Sequence, residues 1–129
     1  MKPKILVVAA NYYKSISFDL NLYTSGVLDK KTKYKFISVP GVFEIPVVIS
    51  KNIKKYDGFI ALGCVIKGET PHFDFISQAT TNAIMQLSID HKKPIGNGII
   101  TSLNEEQALI RSKTKGVEAA RAVISILSQ

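Results

Sequence analysis

Four short, almost uninterrupted apolar segments recur along this 129-residue chain, and they constrain its fold more than any other feature of the sequence. Strands with one face in water alternate apolar and polar residues, whereas strands buried on both faces are apolar throughout. The four segments therefore predict the strands of a parallel sheet that is covered by helices. The predicted strands span residues 4–10, 34–39, 58–66 and 95–101.

The segments between these strands carry apolar residues at helical spacing. Side chains three, four or seven positions apart lie on one face of a helix. A further short helix is predicted at 105–111, with Asn104 as its N-cap. Strands and helices in alternation predict one α/β domain over residues 1–129. The apolar rows are Ile16, Leu20, Tyr23 and Val27; Ile45, Ile49 and Ile53; Phe73, Ile76, Thr80, Ile84 and Leu87; and Val117, Ala120, Ile124 and Leu127.

The composition excludes several classes of protein. With 46% hydrophobic and 21% charged residues, the chain has the composition of an ordinary globular domain and not of a disordered segment. No apolar run approaches the roughly 20 residues that span a bilayer. The single cysteine, Cys64, excludes an intramolecular disulfide, and the first residues lack the apolar region of a signal peptide. The cytoplasm is therefore the expected location.

The formal charge of +7 is compatible with two kinds of ligand. A basic patch binds nucleic acid, whereas a generally basic surface attracts anionic small molecules. The lysines are scattered along the chain without interleaved aromatic residues. We therefore expect no nucleic-acid partner.

Ligands of open α/β sheets bind outside the carboxyl ends of the strands. This rule selects four segments before any chemistry is considered: residues 11–13, 40–44, 66–72 and those after 101.

The third of these segments contains one of the two histidines of the chain, in CVIKGETPHFDF. Thr70 as N-cap and Pro71 as the first helical residue predict a helix start, with His72 in the first turn. Free N–H groups at such a start attract phosphate and favour a neutral imidazole, which suits proton transfer. The alternative is a half-buried histidine that donates to a backbone carbonyl. The residues alone leave both interpretations open.

Other polar residues in these segments also allow two interpretations. Glu44 could accept hydrogen bonds from a polyol or amine, or cap the following helix. Tyr12 could stack on a heteroaromatic ring or pack over the sheet edge. Arg111 and Lys115 could bind phosphate or simply face water. Cys64 lies in an apolar strand without a nearby base, which indicates an inert core residue. The sequence has no metal-ligand cluster and no nucleotide-binding motif, so no metal is expected.

Three stretches together resemble the motifs of the 6,7-dimethyl-8-ribityllumazine synthase family, which catalyses the penultimate step of riboflavin biosynthesis. They are VPGVFEIP, ALGCVIKGETPHFDF and NGIITSLNEEQALIRSKTKG. The resemblance implies a flavodoxin-like three-layer sandwich with a four-stranded parallel sheet. It further implies pentamers, sometimes assembled into sixty-subunit shells, with active sites between neighbouring subunits. The implied reaction joins 5-amino-6-(D-ribitylamino)uracil to 3,4-dihydroxy-2-butanone 4-phosphate and uses no cofactor.

The resemblance also implies roles for residues at matching positions. Tyr12 matches the aromatic residue that stacks on the pyrimidine, and His72 matches the proposed proton-transfer residue. Val65 and Ile66 match backbone contacts to the ring. The segment that holds the ribityl chain comprises Val42, Phe43 and Glu44. The phosphate loop contains Glu69 and Thr70. The positions supplied by a neighbouring subunit are Asn97, Arg111 and Lys115, with Arg111 on the phosphate.

The chain departs from the family pattern at several positions. Asn97 stands where many members have an aromatic residue, so the pyrimidine is expected to be clamped from one side only. Asn11 replaces a common arginine, and Pro71 replaces a frequent threonine. The link between Arg111 and Lys115 is shorter than in many members. An N-terminal extension that often pairs with a neighbour is lacking, which favours a pentamer over a shell.

Two other functions fit the same motifs. One is a binding module that holds a lumazine or flavin without making it, and the other is a related riboflavin synthase that dismutates two lumazines. Glu44, His72 and Arg111 together favour the lumazine synthase over the binding module, because stacking alone needs none of them.

Overall fold

A computed structural model of the chain describes residues 1–68 and 72–129. Its strands lie within one residue of the predicted ranges, and all pairings are parallel, in the order β2-β1-β3-β4. The predicted α/β class with a four-stranded parallel sheet is confirmed. The strands are β1 (Lys4–Ala10), β2 (Lys33–Val39), β3 (Gly58–Ile66) and β4 (Ile95–Ser102).

The helices of the described residues form a layer on each face of this sheet, which is the arrangement of a flavodoxin-like three-layer sandwich. One layer contains the first, fourth and fifth helices, and the other contains the second and third. Asn104 caps the fourth helix as predicted, because its Oδ1 accepts a hydrogen bond of 2.9 Å from the N–H of Gln107. The helices are α1 (Lys14–Leu28), α2 (Ile45–Lys51), α3 (His72–His91), α4 (Glu105–Arg111) and α5 (Lys115–Leu127), with a 3-10 helix at Val42–Glu44.

The two inner strands are buried on both faces. Ile5 and Val7 of β1 face α1 and α5, whereas Leu6 and Val8 face α2 and α3. The edge strand β2 differs from the prediction, because its lysines are exposed and most of its other residues are only partly covered. An edge strand has a neighbour on one side only, and part of its surface stays in contact with water.

Tyr23 belongs to the apolar row of α1 but not to the buried face of that helix. This side chain is 41% exposed, and Thr24 occupies the buried position beside α5. A Cβ added to Gly116 of α5 would lie only 2.0 Å from Thr24 Oγ1, so the two helices approach each other closely. A tyrosine ring does not fit in that space.

No helix in the described part of the chain is long and apolar enough to span a membrane. The same residues contain no group of three or more histidine, cysteine or acidic side chains that could hold a metal ion.

Candidate active site

A cavity of about 370 Å³ opens at the carboxyl end of the sheet, and we call it the crevice. Residues from three places in the chain border it: those that follow β1, those between β2 and α2, and those at the end of β3 and the start of α3. Seven of the predicted site residues line it: Tyr12, Val42, Phe43, Glu44, Val65, Ile66 and His72.

The first wall of the crevice is formed by the residues that come directly after β1 in the chain. The backbone N–H of Asn11 donates to the carbonyl of Val39 (3.0 Å), and its Nδ2 donates to Ser38 Oγ (2.8 Å). These bonds tie the end of β1 to the end of β2. Tyr12 comes next and is 74% exposed, so its ring faces the opening and does not cover the sheet edge as a buried residue.

The second wall is the 3-10 helix. Val42 is buried beneath it, and Phe43 is 63% exposed. Within the described part of the chain, the Glu44 side chain makes no capping hydrogen bond to the first turn of α2. The capping interpretation of Glu44 is therefore wrong, and its half-buried side chain lines the crevice. A Cβ on Gly41 would lie 3.2 Å from Glu44 Oε1, so this glycine leaves space for the carboxylate.

The floor of the crevice is the end of β3. A Cβ on Gly63 would lie 2.5 Å from Val42 Cγ1, so the 3-10 helix sits directly on this glycine. Burial, followed by the charge of Glu105, raises the pKa of the Cys64 thiol to about 11, although a hydrogen bond with Ser102 opposes the shift. The thiol is therefore neutral near pH 7, as expected of an inert cysteine.

The third wall begins with His72, the first described residue of α3. Its side chain is exposed, so the alternative of a half-buried structural histidine is wrong. Gly68, which comes shortly after β3 in the chain, also lines the crevice. The predicted N-cap Thr70 and first helical residue Pro71 lie outside the described residues. So does the predicted phosphate loop with Glu69 and Thr70.

The three remaining predicted residues do not line the crevice. Arg111 and Lys115 line a separate cavity of about 220 Å³ beside β4. The guanidinium of Arg111 donates to the carbonyl of Thr101 from Nη1 (3.0 Å). Asn97 is exposed on β4, and its Oδ1 accepts a hydrogen bond from the N–H of Ile99 (3.1 Å).

Three residues of the crevice were neither named as site residues nor part of the segments selected from the sequence: Cys64, Phe73 and Ile76. The spacing of Ile76 from His72 was a usable signal, because residues four apart share one face of a helix. Tyr13 lies within the selected segment 11–13 but was assigned no role, since the residue after an exposed tyrosine can point in either direction. Burial, then the charges of Cys64, Tyr12 and Glu105, raises the pKa of the Tyr13 phenol.

The crevice thus combines an exposed aromatic ring, an apolar floor, a carboxylate and an imidazole. Such a combination can hold a planar heterocycle by stacking, accept hydrogen bonds from hydroxyl groups, and exchange protons.

Comparison with known proteins agrees with this chemistry. The family model described as 6,7-dimethyl-8-ribityllumazine synthase matches residues 2–129. A protein of that name from Bartonella tribocorum is 42% identical, over 98% of this chain and 89% of the relative. One from Agrobacterium fabrum is 40% identical, over 98% of this chain and 93% of the relative. A protein named 6,7-dimethyl-8-ribityllumazine synthase 1 from Rhodopseudomonas palustris is 39% identical, over 96% of this chain and 83% of the relative.

Proposed function

This chain belongs to the 6,7-dimethyl-8-ribityllumazine synthase family, and we propose that it carries out the family's condensation in the crevice. It is a transferase of riboflavin biosynthesis, which joins 5-amino-6-(D-ribitylamino)uracil to 3,4-dihydroxy-2-butanone 4-phosphate and releases the lumazine, phosphate and water. The observation that carries the assignment to the crevice is the convergence of Tyr12, Glu44 and His72 from three separate segments.

The pyrimidine substrate fits the first and second walls. The exposed ring of Tyr12 stacks on the flat heterocycle, while the backbone at Val65 and Ile66 faces its edge. The ribityl chain lies along Val42 and Phe43, and the Glu44 carboxylate accepts hydrogen bonds from its hydroxyl groups. A half-buried carboxylate forms stronger hydrogen bonds than one in water, because fewer water molecules compete for it.

His72 transfers protons between the two substrates. The 5-amino group attacks the ketone, and water leaves to form an imine. Phosphate is then eliminated together with the proton of the hydroxyl-bearing carbon, which leaves an enol. The enol takes up a proton on its terminal carbon to become a methyl ketone, and the ribitylamino nitrogen closes the ring on this carbonyl as a second water leaves. Each step moves a proton on or off nitrogen, oxygen or carbon, and imidazole is suited to such transfers near neutral pH. Because an amine and a ketone react without a catalyst, holding them together supplies much of the rate.

A neighbouring subunit completes the site. Arg111 and Lys115 lie in a separate cavity of their own chain, so within one chain they do not reach a ligand in the crevice. In a pentamer, Arg111 of one subunit binds the phosphate held by the next, together with Glu69 and Thr70 of that next subunit. Lys115 and Asn97 approach from the same side as Arg111. Asn97 has no ring, so Tyr12 alone provides the stacking surface.

No finding favours the alternatives of a binding module or a riboflavin synthase. The absence of a nucleic-acid partner stays a prediction, which binding measurements in increasing salt would test. The cytoplasmic location also stays a prediction, and fractionation of cells would test it.

A stopped assay with both substrates tests the function directly. We expect the lumazine, followed by its absorbance, and free phosphate to form in equal molar amounts, at rates well above those of an enzyme-free control. Binding of the pyrimidine without any acceleration would contradict the proposal and point to a binding module.

A further inference from the structure

Two adjacent tyrosines at the mouth of the crevice form an aromatic pair. The ring centroids of Tyr12 and Tyr13 lie 4.9 Å apart, with an angle of 78° between the ring planes. This is the edge-to-face geometry in which the positive edge of one ring meets the negative face of the other. Such a contact leaves at least one face of the Tyr12 ring free for a ligand.

The two rings differ in how firmly the protein holds them. Tyr12 is 74% exposed. Tyr13 is partly buried and packs against the core between the sheet and α1. Its carbonyl accepts the N–H of Ser17 (2.9 Å) as the first turn of α1 forms. Tyr13 is thus fixed through its backbone and its side chain, and the pair connects an exposed ring to a fixed one.

An exposed aromatic side chain that must adopt one rotamer on binding a ligand loses conformational entropy, and affinity falls accordingly. A fixed neighbour that already favours this rotamer reduces the loss. We propose that Tyr13 is a positioning residue that holds the ring of Tyr12 at the angle at which it stacks on the pyrimidine. The inference rests on the proposed function, because it takes Tyr12 as the stacking residue.

Replacement of each tyrosine by leucine, alone and together, tests the proposal. Tyr13→Leu keeps an apolar side chain against the core but removes the ring edge. We expect the KM for ribitylaminouracil to rise about three- to tenfold, in line with the usual strength of aromatic pairs. The KM for the butanone phosphate and kcat should change less than about twofold, because Tyr13 contacts neither reacting group. Tyr13→Phe should restore the low KM.

Combining the substitutions separates positioning from general damage. In a Tyr12→Leu background, Tyr13→Leu should raise the KM for the pyrimidine less than about twofold, since no ring is left to position. The same increase in both backgrounds would overturn the inference, as would an unchanged KM in Tyr13→Leu. If Tyr12→Leu by itself leaves this KM unchanged, Tyr12 does not stack on the substrate, and the proposed function of Tyr12 fails together with the inference.

Tyr56→Leu is the matched control. Tyr56 is also partly buried and forms an edge-to-face pair with Phe59, at 6.1 Å and 66°, but it does not line the crevice. This variant should lose thermal stability without a change in either KM. If Tyr13→Leu does not fold, as judged by circular dichroism, Tyr13→Met provides a longer and more adaptable apolar side chain for the same measurements.

Discussion

His72 is the residue on which the proposed chemistry depends most. It stands exposed at the beginning of α3, beside the crevice, where a bound substrate can reach its imidazole. His72→Ala should lower kcat by about 10²–10⁴-fold, the usual contribution of general acid–base catalysis, and leave a residual rate from the held substrates. Steady-state lumazine formation measures the effect.

The second histidine of the chain provides the control for this prediction. His91 is exposed in the last turn of α3, far along the helix from His72. His91→Ala should retain the wild-type kcat. A His72→Ala enzyme as fast as the wild type would remove His72 from the mechanism.

Cys64 is expected to make the protein less stable as the pH rises in the alkaline range. Its pKa is about 11 in the folded protein, against an ordinary value of 9.0. Above pH 9 the thiol of the unfolded chain loses its proton while the folded thiol keeps it. The contribution of Cys64 is therefore complete below pH 9, and it falls as the pH rises towards 11.

Urea unfolding at about pH 8 and about pH 10.5 tests this dependence. Wild type should lose more free energy of unfolding between the two pH values than Cys64→Ala, which has no thiol. Equal losses would mean that the folded thiol titrates as it does in the unfolded chain. Every other pH-dependent contribution to stability is common to both proteins, so the comparison with the alanine variant isolates that of Cys64.

At the scale of helices, the contact between α1 and α5 depends on a glycine. Gly116 of α5 is buried against Thr24 of α1, and a Cβ there would lie 2.0 Å from Thr24 Oγ1. Gly116→Ala should lower the free energy of unfolding by about 1–3 kcal/mol, because the two helices must move apart. Thermal or urea unfolding measures the change.

Gly26 in α1 is the matched control for Gly116. A Cβ there would meet nothing within 4 Å. Gly26→Ala should therefore stabilise the protein by about 0.5–1 kcal/mol, since alanine restricts the unfolded chain and favours a helix. Thr24→Ala combined with Gly116→Ala should recover part of the lost stability. Equal stabilisation by Gly116→Ala and Gly26→Ala would contradict the close approach of α1 and α5.

At the scale of the whole molecule, large apolar side chains remain exposed on several elements. They include Phe18, Leu22, Val47, Phe75, Met85, Ile89, Leu103, Ile110 and Ile126. Exposed apolar surface of this extent favours association between subunits. The proposed pentamer predicts a mass of five times 14.2 kDa in light scattering after size exclusion. A mass of one chain at assay concentration would contradict it.

Mixed oligomers test whether the active site is shared. His72→Ala and Arg111→Ala subunits each lack one part of the proposed site. If adjacent subunits supply these residues, random mixing restores both to about a quarter of the sites, and activity should rise above that of either variant. Mixing without refolding provides the control. No recovery after reassembly would place both residues in the same subunit's site, or remove one of them from it.

The local pattern of the sequence was sufficient to predict the type and position of most strands and helices. Apolar runs and helical spacing depend on residues close in the chain, so β1, β3 and α4 were predicted with their observed bounds. Motif resemblance likewise identified the family, since the segments of residues 39–46 and 61–75 can be recognised without their surroundings. Glu44 and His72 were named from such segments.

Other features depended on which distant segments the fold brings together. The order β2-β1-β3-β4 leaves β2 at an edge and places Tyr12, Glu44 and His72 around one crevice. The approach of α5 to α1 decides that Thr24, and not Tyr23, is buried. The pairing of Tyr13 with Tyr12, and the separation of Arg111 from the crevice, are likewise tertiary. Local periodicity fixes which residues share a face of one element, but only packing between elements decides what that face contacts.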